Sequence, residues 1–263
     1  MTWLASLPVA LLVTISLVVA FAVVAISRVA TRALVPPEER DHVQSIAAPL
    51  MPALGATFAV LMAMTLVSEA GYLRTAQDLV STEAAQASRL AWAATSPGVD
   101  TPTIQHALAG YLRATRAHEW RGGPSAERAA PATALALARL ERVVRAEASR
   151  PGLGTPTSTE LLTSLDAVTT TRRERLAAAS HEIPALYVFT LIASGAALIA
   201  NAGALTCRSR LRTSGLVVGL TVVVALSMAL LFALTAPWEG PLVVSGRAVD
   251  AVLRDLHTGF FHS

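Results

Sequence analysis

Four long apolar segments limit what this chain can fold into more than any other feature. The first runs from Trp3 to Ile26, and its only polar side chains are Ser6, Thr14 and Ser16. About 20 such residues cross a hydrocarbon core of roughly 30 Å, so the stretch is long enough. A cleaved secretory leader has a basic start and an apolar run of about 7–15 residues. No arginine precedes this segment, and the expectation is a retained helix. The second segment runs from about Ile46 to Val67, the third from Ala185 to Thr206 and the fourth from Ser214 to Ala236. Charged residues make up 15% of the chain, well below the roughly 25% of soluble domains. The pattern predicts an all-α integral membrane protein with four transmembrane helices, in contact with the lipid bilayer.

These segments divide the chain into a first hairpin over 1–68, a polar stretch over 69–182, a second hairpin over 183–236 and a tail over 237–263. Pro36-Pro37 marks the turn of the first hairpin. Pro49 and Pro52 fall in the expected first turns of the second span, where helices tolerate proline, and Gly55 follows. Past Glu69 the helical pattern continues. Leu73, Ala76, Val80, Ala84, Ala87 and Ala91 recur at spacings of three and four, one helix face, so a single helix is expected to leave the bilayer and end near Ser96-Pro97-Gly98. Thr101-Pro102 reads as an N-cap before a second helix that carries Ile104, Leu108, Tyr111 and Leu112. A third is expected after Pro131 with Leu137, Leu140 and Val144 on one face. Thr157 with Glu160 has the form of a capping box for a fourth. Four amphipathic helices with short breaks predict a small bundle. In the fourth span Gly215 and Gly219 stand in the spacing that allows close helix approach. In the tail, Val249, Val252, Leu253 and Leu256 fit a short amphipathic helix.

Arginine supplies all 21 basic residues. Arg28, Arg32 and Arg40 follow span one, and Arg208, Arg210 and Arg212 follow span three. Short arginine-rich links stay cytoplasmic, which places the bundle and both termini outside. Long basic runs are missing from the sequence, so nucleic acid is not an expected partner. Catalysis, cofactor and metal find no support either. The six histidines show no zinc-ligand spacing, no nucleophile elbow or phosphate loop occurs, and Cys207 is the lone cysteine. The chain is not expected to be an enzyme.

Several phrases resemble the bestrophin-like family of uncharacterised four-span membrane proteins, found mainly in bacteria. They are Val35-Pro36-Pro37-Glu38-Glu39-Arg40 leading into Ala47, Gly55 and Phe58, then Glu83-Ala84, Tyr111, Glu119-Trp120, and Arg172, Arg173, Arg175 and Leu176 before Pro184. Pro237-Trp238-Glu239-Gly240 resembles the family's Pro-Phe-x-Gly ending. The likeness covers nearly the whole chain in order. The chain departs from the family pattern at Gln44-Ser45, where Asn-Asp is usual, at Phe58, where Tyr is usual, and near Thr235, where an acid is usual.

The resemblance implies an oligomeric anion pathway, built from copies of this chain and passing a small anion. The rival reading is a non-conducting sensor or scaffold whose bundle binds a ligand or partner. Bestrophins keep their large domain in the cytosol, opposite to the arginine count here. For a pathway the candidate positions are Pro49, Pro52 and Gly55, whose bland role is a helix start and a packing contact, and Asn201, which can bond across an interface or at the membrane edge. Glu83, Glu119, Arg172 and Arg175, shared with the family pattern, are candidates for an ion-pair network in the bundle, either structural or anion-binding. Arg40 and Trp120 are shared too, with no role assigned.

Overall fold

A computed structural model describes residues 8–36, 38–120, 124–179, 184–206, 211–234 and 244–262. Among the described residues all regular structure is helical. The helices are α1 (Val9–Leu34), α2 (Arg40–Ala93), α3 (Thr101–His118), α4 (Pro124–Ala148), α5 (Thr155–Ala179), α6 (Ala185–Leu205), α7 (Leu211–Leu234) and α8 (Arg247–Thr258), followed by a 3₁₀ turn, Phe260–His262. Four of them, α1, α2, α6 and α7, are long and apolar enough to cross a bilayer. The chain forms two compact units, one of residues 1–71 and 182–242, the other of residues 72–181 and 243–263.

In the first unit α1 packs on both α6 and α7, and α6 on α7. Their shared core holds Val24, Phe58, Met62, Leu191, Leu198, Ile199, Val224 and Leu231. The inward face of α2 runs through Ala47, Phe58, Met62, Thr65 and Glu69, all buried, the spacing of one helix face. Its opposite face carries Ile46, Leu50, Val60, Met64 and Val67, all exposed.

Close approach within this unit is made by Gly203 and Gly195. A Cβ on Gly203 would lie 3.1 Å from the Val24 carbonyl oxygen and 3.2 Å from Ser27 Cβ. There Ser27 Oγ donates to the Ala200 carbonyl at 2.6 Å, and the Arg28 guanidinium donates twice to Thr206 Oγ1. A Cβ on Gly195 would meet Phe58 and Met228 at 3.1 Å. The expected pair, Gly215 and Gly219, meets nothing within 4 Å. The GxxxG spacing therefore lies on the outer face of α7, because the inward positions fall at Val217, Thr221, Val224 and Ala225.

Several boundaries differ from the sequence expectation. Span one extends to Leu34, since Arg28 and Arg32 sit in its last turns without breaking it. Helix α2 begins at Arg40, so Pro49 and Pro52 lie inside it rather than in its first turns. Each removes one backbone donor, and the ring strain this brings is tolerated in a helix held by packing. Helix α4 starts at Pro124, with Pro131 interior; Pro124 takes the initiating position where a missing N–H is harmless. The N-cap of α3 is Asp100, whose carboxylate accepts from Thr103 N at 3.3 Å, with Thr101 already helical. Helix α5 starts at Thr155, which puts Thr157 inside the first turn, so no capping box forms with Glu160.

In the second unit α3 packs on α4, α4 on α5, and α8 on α3. Its core is built from Val80, Ala87, Leu90, Ile104, Leu108, Leu112, Leu140, Val144, Leu161 and Val168.

Substituting Gly203 by Val forces a side chain against rigid backbone, and overpacking of this kind costs about 1–3 kcal/mol. Gly219→Val has open space around it. Thermal unfolding in detergent should show a lowered midpoint for G203V and an unchanged one for G219V. Equal midpoints would mean that α1 and α6 do not meet as described.

Candidate functional site

The second unit brings four charged side chains together, with Glu83, Glu119 and Arg175 buried and Arg172 partly so. Glu83 comes from α2, Glu119 caps the end of α3, and Arg172 and Arg175 stand one turn apart on α5. Arg175 Nε donates to Glu83 Oε2 at 2.5 Å, and its Nη2 donates to Glu119 Oε2 at 2.7 Å. Arg172 Nη2 donates to the other oxygen of Glu119. Tyr111 on α3 completes the set, its hydroxyl donating to Glu83 Oε1 at 2.5 Å. Trp120 lies beside the guanidinium of Arg175, 5.8 Å from carbon to ring centre. Side-chain exposure is 1% for Arg175 and Glu83, 3% for Glu119 and 12% for Arg172.

Two carboxylates and two guanidiniums sum to zero, and each carboxylate oxygen has a donor. Burial alone would lower the pKa of Arg175, but the charges of Glu83 and Glu119 and the hydrogen bond to Glu83 overcome it and hold the pKa above its ordinary value. Burial raises the pKa of Tyr111 well above its ordinary 10.0, and the Glu83 charge adds to the effect, so its hydroxyl keeps the proton it donates. The four sequence-predicted residues thus meet in one neutral network joining α2, α3 and α5. Its charges face one another, which makes it a lock between helices. Tyr111 was legible as part of an apolar stripe and of the family pattern, with no role in the network; its hydroxyl partner is 28 residues away on another helix.

The candidates in the first unit do not form one site. Gly55 lies on the inner side of α2, where a Cβ would touch Leu198 at 4.0 Å. Asn201 Nδ2 donates to the Ala47 carbonyl at 2.9 Å, so its partner is span two of the same chain. Pro49 and Pro52 are exposed. The carbonyls they release four residues earlier, at Ser45 and Ala48, carry partial negative charge, which does not attract an anion. The side chain of Arg40, together with Cys207 and the Pro237-Trp238-Glu239-Gly240 phrase, lies outside the described residues. Among the described residues no group of three or more His, Cys, Asp or Glu side chains could hold a metal ion, and nothing in the network suggests a cofactor.

A family model described as a Bestrophin-like domain matches residues 18–249. Three crystal structures share the fold over nearly the whole chain. A bacterial Bestrophin homologue from Klebsiella pneumoniae aligns with a TM-score of 0.71, 15% identity, 93% of this chain and 97% of its own. A point variant of a Bestrophin homologue from the same organism aligns at 0.70 and 14%, over 93% and 99%. A variant described as a membrane protein aligns at 0.72 and 15%, over 94% and 97%. No curated protein matches the sequence.

Removing Arg175 leaves Glu83 buried without its counter-charge, and breaking a buried pair in this way costs about 3–5 kcal/mol. Chemical unfolding in detergent should show that loss for Arg175→Ala and a smaller one for Arg172→Ala, whose side chain is more exposed. If R175A unfolds like the wild type, the network is not a lock.

Proposed function

This chain belongs to the Bestrophin-like family, and on that premise we propose that it assembles into an oligomer that conducts small anions between its subunits. The observation that carries this reading is the filling of the membrane unit. The space among the four spans of one chain is occupied by Phe58, Met62, Leu191, Leu198, Ile199 and Leu231. An ion there would lose its hydration with no polar group in return. A pathway therefore belongs outside the single chain, on a surface shared by several copies. The outer face of α2 is the best candidate: Pro49, Ala53, Ala56 and Val60 recur along it at spacings of four, three and four, and all are exposed. Gly55 and Asn201 then serve packing within the chain. The anion class comes from the family resemblance, and the prolines bend or stiffen the helix instead of binding the ion.

The competing reading, a non-conducting sensor or scaffold, draws on α2 continuing from the span into the bundle as one helix of 54 residues. Chloride efflux from liposomes separates the two. The purified oligomer should release chloride above empty liposomes, and Ala56→Trp or Val60→Trp should cut the flux several-fold with the oligomer intact. A folded oligomer that passes nothing under varied potential, pH and calcium would favour the scaffold.

Sidedness has two competing readings: the arginine links favour a bundle outside, and the family resemblance favours one in the cytosol. The native Cys207, in the link between spans three and four, decides between them. With the bundle outside, an impermeant thiol reagent reaches Cys207 only in opened cells. Labelling in intact cells would put the bundle inside.

A further inference from the structure

The membrane unit holds a charged side chain inside a spanning helix. Arg28 lies in α1 ahead of its end at Leu34 and is partly buried. The stretch of α1 from Val9 to Arg28 rises about 30 Å, and so does the whole of α6. That is the thickness of a hydrocarbon core, so Arg28 and the end of α6 stand at the level where lipid phosphates begin. The two helices meet there. A Cβ on Gly203 would lie 3.1 Å from the Val24 carbonyl oxygen, and Ser27 Oγ donates to the Ala200 carbonyl at 2.6 Å. Thr206 Oγ1 accepts from Arg28 Nε at 3.1 Å and from its Nη2 at 2.9 Å, and donates to the Ala202 carbonyl at 3.0 Å. One edge of the guanidinium is thereby pinned to the end of α6, which fixes its plane. Thr31, whose Oγ1 donates to the Ser27 carbonyl at 2.8 Å, and the exposed Arg32 continue this polar side of α1.

Arginines that only set the orientation of a span need charge and no fixed geometry. Arg28 is held in one, and a guanidinium fixed in plane matches the paired oxygens of a phosphate. The surrounding charge selects the kind of lipid. Arg28, Arg32 and Arg40 are accompanied by Glu38, Glu39 and Asp41, while Arg208, Arg210 and Arg212 follow Thr206 in the sequence with no acid among them. A juxtamembrane excess of arginine attracts anionic lipid and repels the ammonium of a zwitterionic headgroup. A surface for an acyl chain adjoins it. Val29, Ile26, Ala22 and Val18 lead away from Arg32 along α1 at spacings of three and four, and all are exposed. We infer that the edge where α1 meets the end of α6 is a binding site for an anionic phospholipid, with the phosphodiester on Arg28 and Arg32 and an acyl chain along α1. The site makes the packing of α1 on α6 sensitive to the lipid composition of the bilayer.

Native mass spectrometry of the full-length protein in detergent tests this, with phosphatidylglycerol and phosphatidylcholine of equal chain length titrated separately. Phosphatidylglycerol should bind about tenfold more tightly, since each arginine near the surface contributes several-fold. Arg28→Lys keeps the charge and loses the pinned edge, and should lower phosphatidylglycerol affinity several-fold without changing that of phosphatidylcholine. Arg32→Gln, at an exposed position, should do the same and keeps the test decisive if R28K fails to fold. Inorganic phosphate in excess should displace no lipid. Equal affinity of the wild type for the two lipids, or undiminished phosphatidylglycerol binding in either folded variant, overturns the inference. Displacement by phosphate would mean a site for a free anion and would overturn it as well.

Discussion

The bundle depends on one buried guanidinium. Arg175 bridges Glu83 and Glu119, acids that stand 92 and 56 residues away in sequence and on different helices. Such a network is a poor source of net stability, because desolvating four charges offsets much of their attraction. Its effect is on register. Sliding α5 by one turn, or rotating α2, would leave a charge buried without a counter-charge, and that penalty is several times the stabilisation from any single apolar contact in the core. Tyr111 extends the constraint to α3 through its hydrogen bond to Glu83.

The membrane unit is held differently. It has apolar packing and two glycine contacts, at Gly195 and Gly203. Lipid tails are as apolar as the helix faces, so association relies on close packing and interhelical hydrogen bonds. Ser27 to Ala200, Arg28 to Thr206 and Asn201 to Ala47 are such bonds. They tie α6 to α1 and α2 and leave the outer face of α2 uncommitted.

Much of this was legible from the residues because lipid imposes simple rules. Spans are long and apolar, so their number and helical class follow from composition and length. Glu83, Glu119, Arg172 and Arg175 stood out through the family resemblance, as polar positions shared with its pattern. Which acid meets which arginine was not readable, since it depends on how α2, α3 and α5 come together. The glycines teach the same lesson. Gly215 and Gly219 carry the recognisable spacing and lie on the outside, and Gly203, which has no such partner, makes the close contact. Local spacing says that a helix can approach closely, and only the packing says which helix does. Proline misled for a related reason. Pro49 read as part of a first turn and Pro131 as a boundary, but both lie inside helices that start earlier, at Arg40 and Pro124. The tail contacts join residues 168 positions apart, Gln77 with Ser245, and no local pattern announces them.

The central claim is that the pathway is shared between copies, because each chain's own membrane interior is filled with apolar side chains. Single-channel recording of mixed oligomers tests this most directly. Wild-type chains and Val60→Trp chains, separately tagged, would be co-expressed and the mixed assemblies isolated. A shared pathway predicts conductance levels between those of the two parents, stepping down as tryptophan-bearing subunits are added. Independent unit openings of unchanged wild-type size, as many as there are unmodified chains, would mean that every chain carries its own path and would contradict the account.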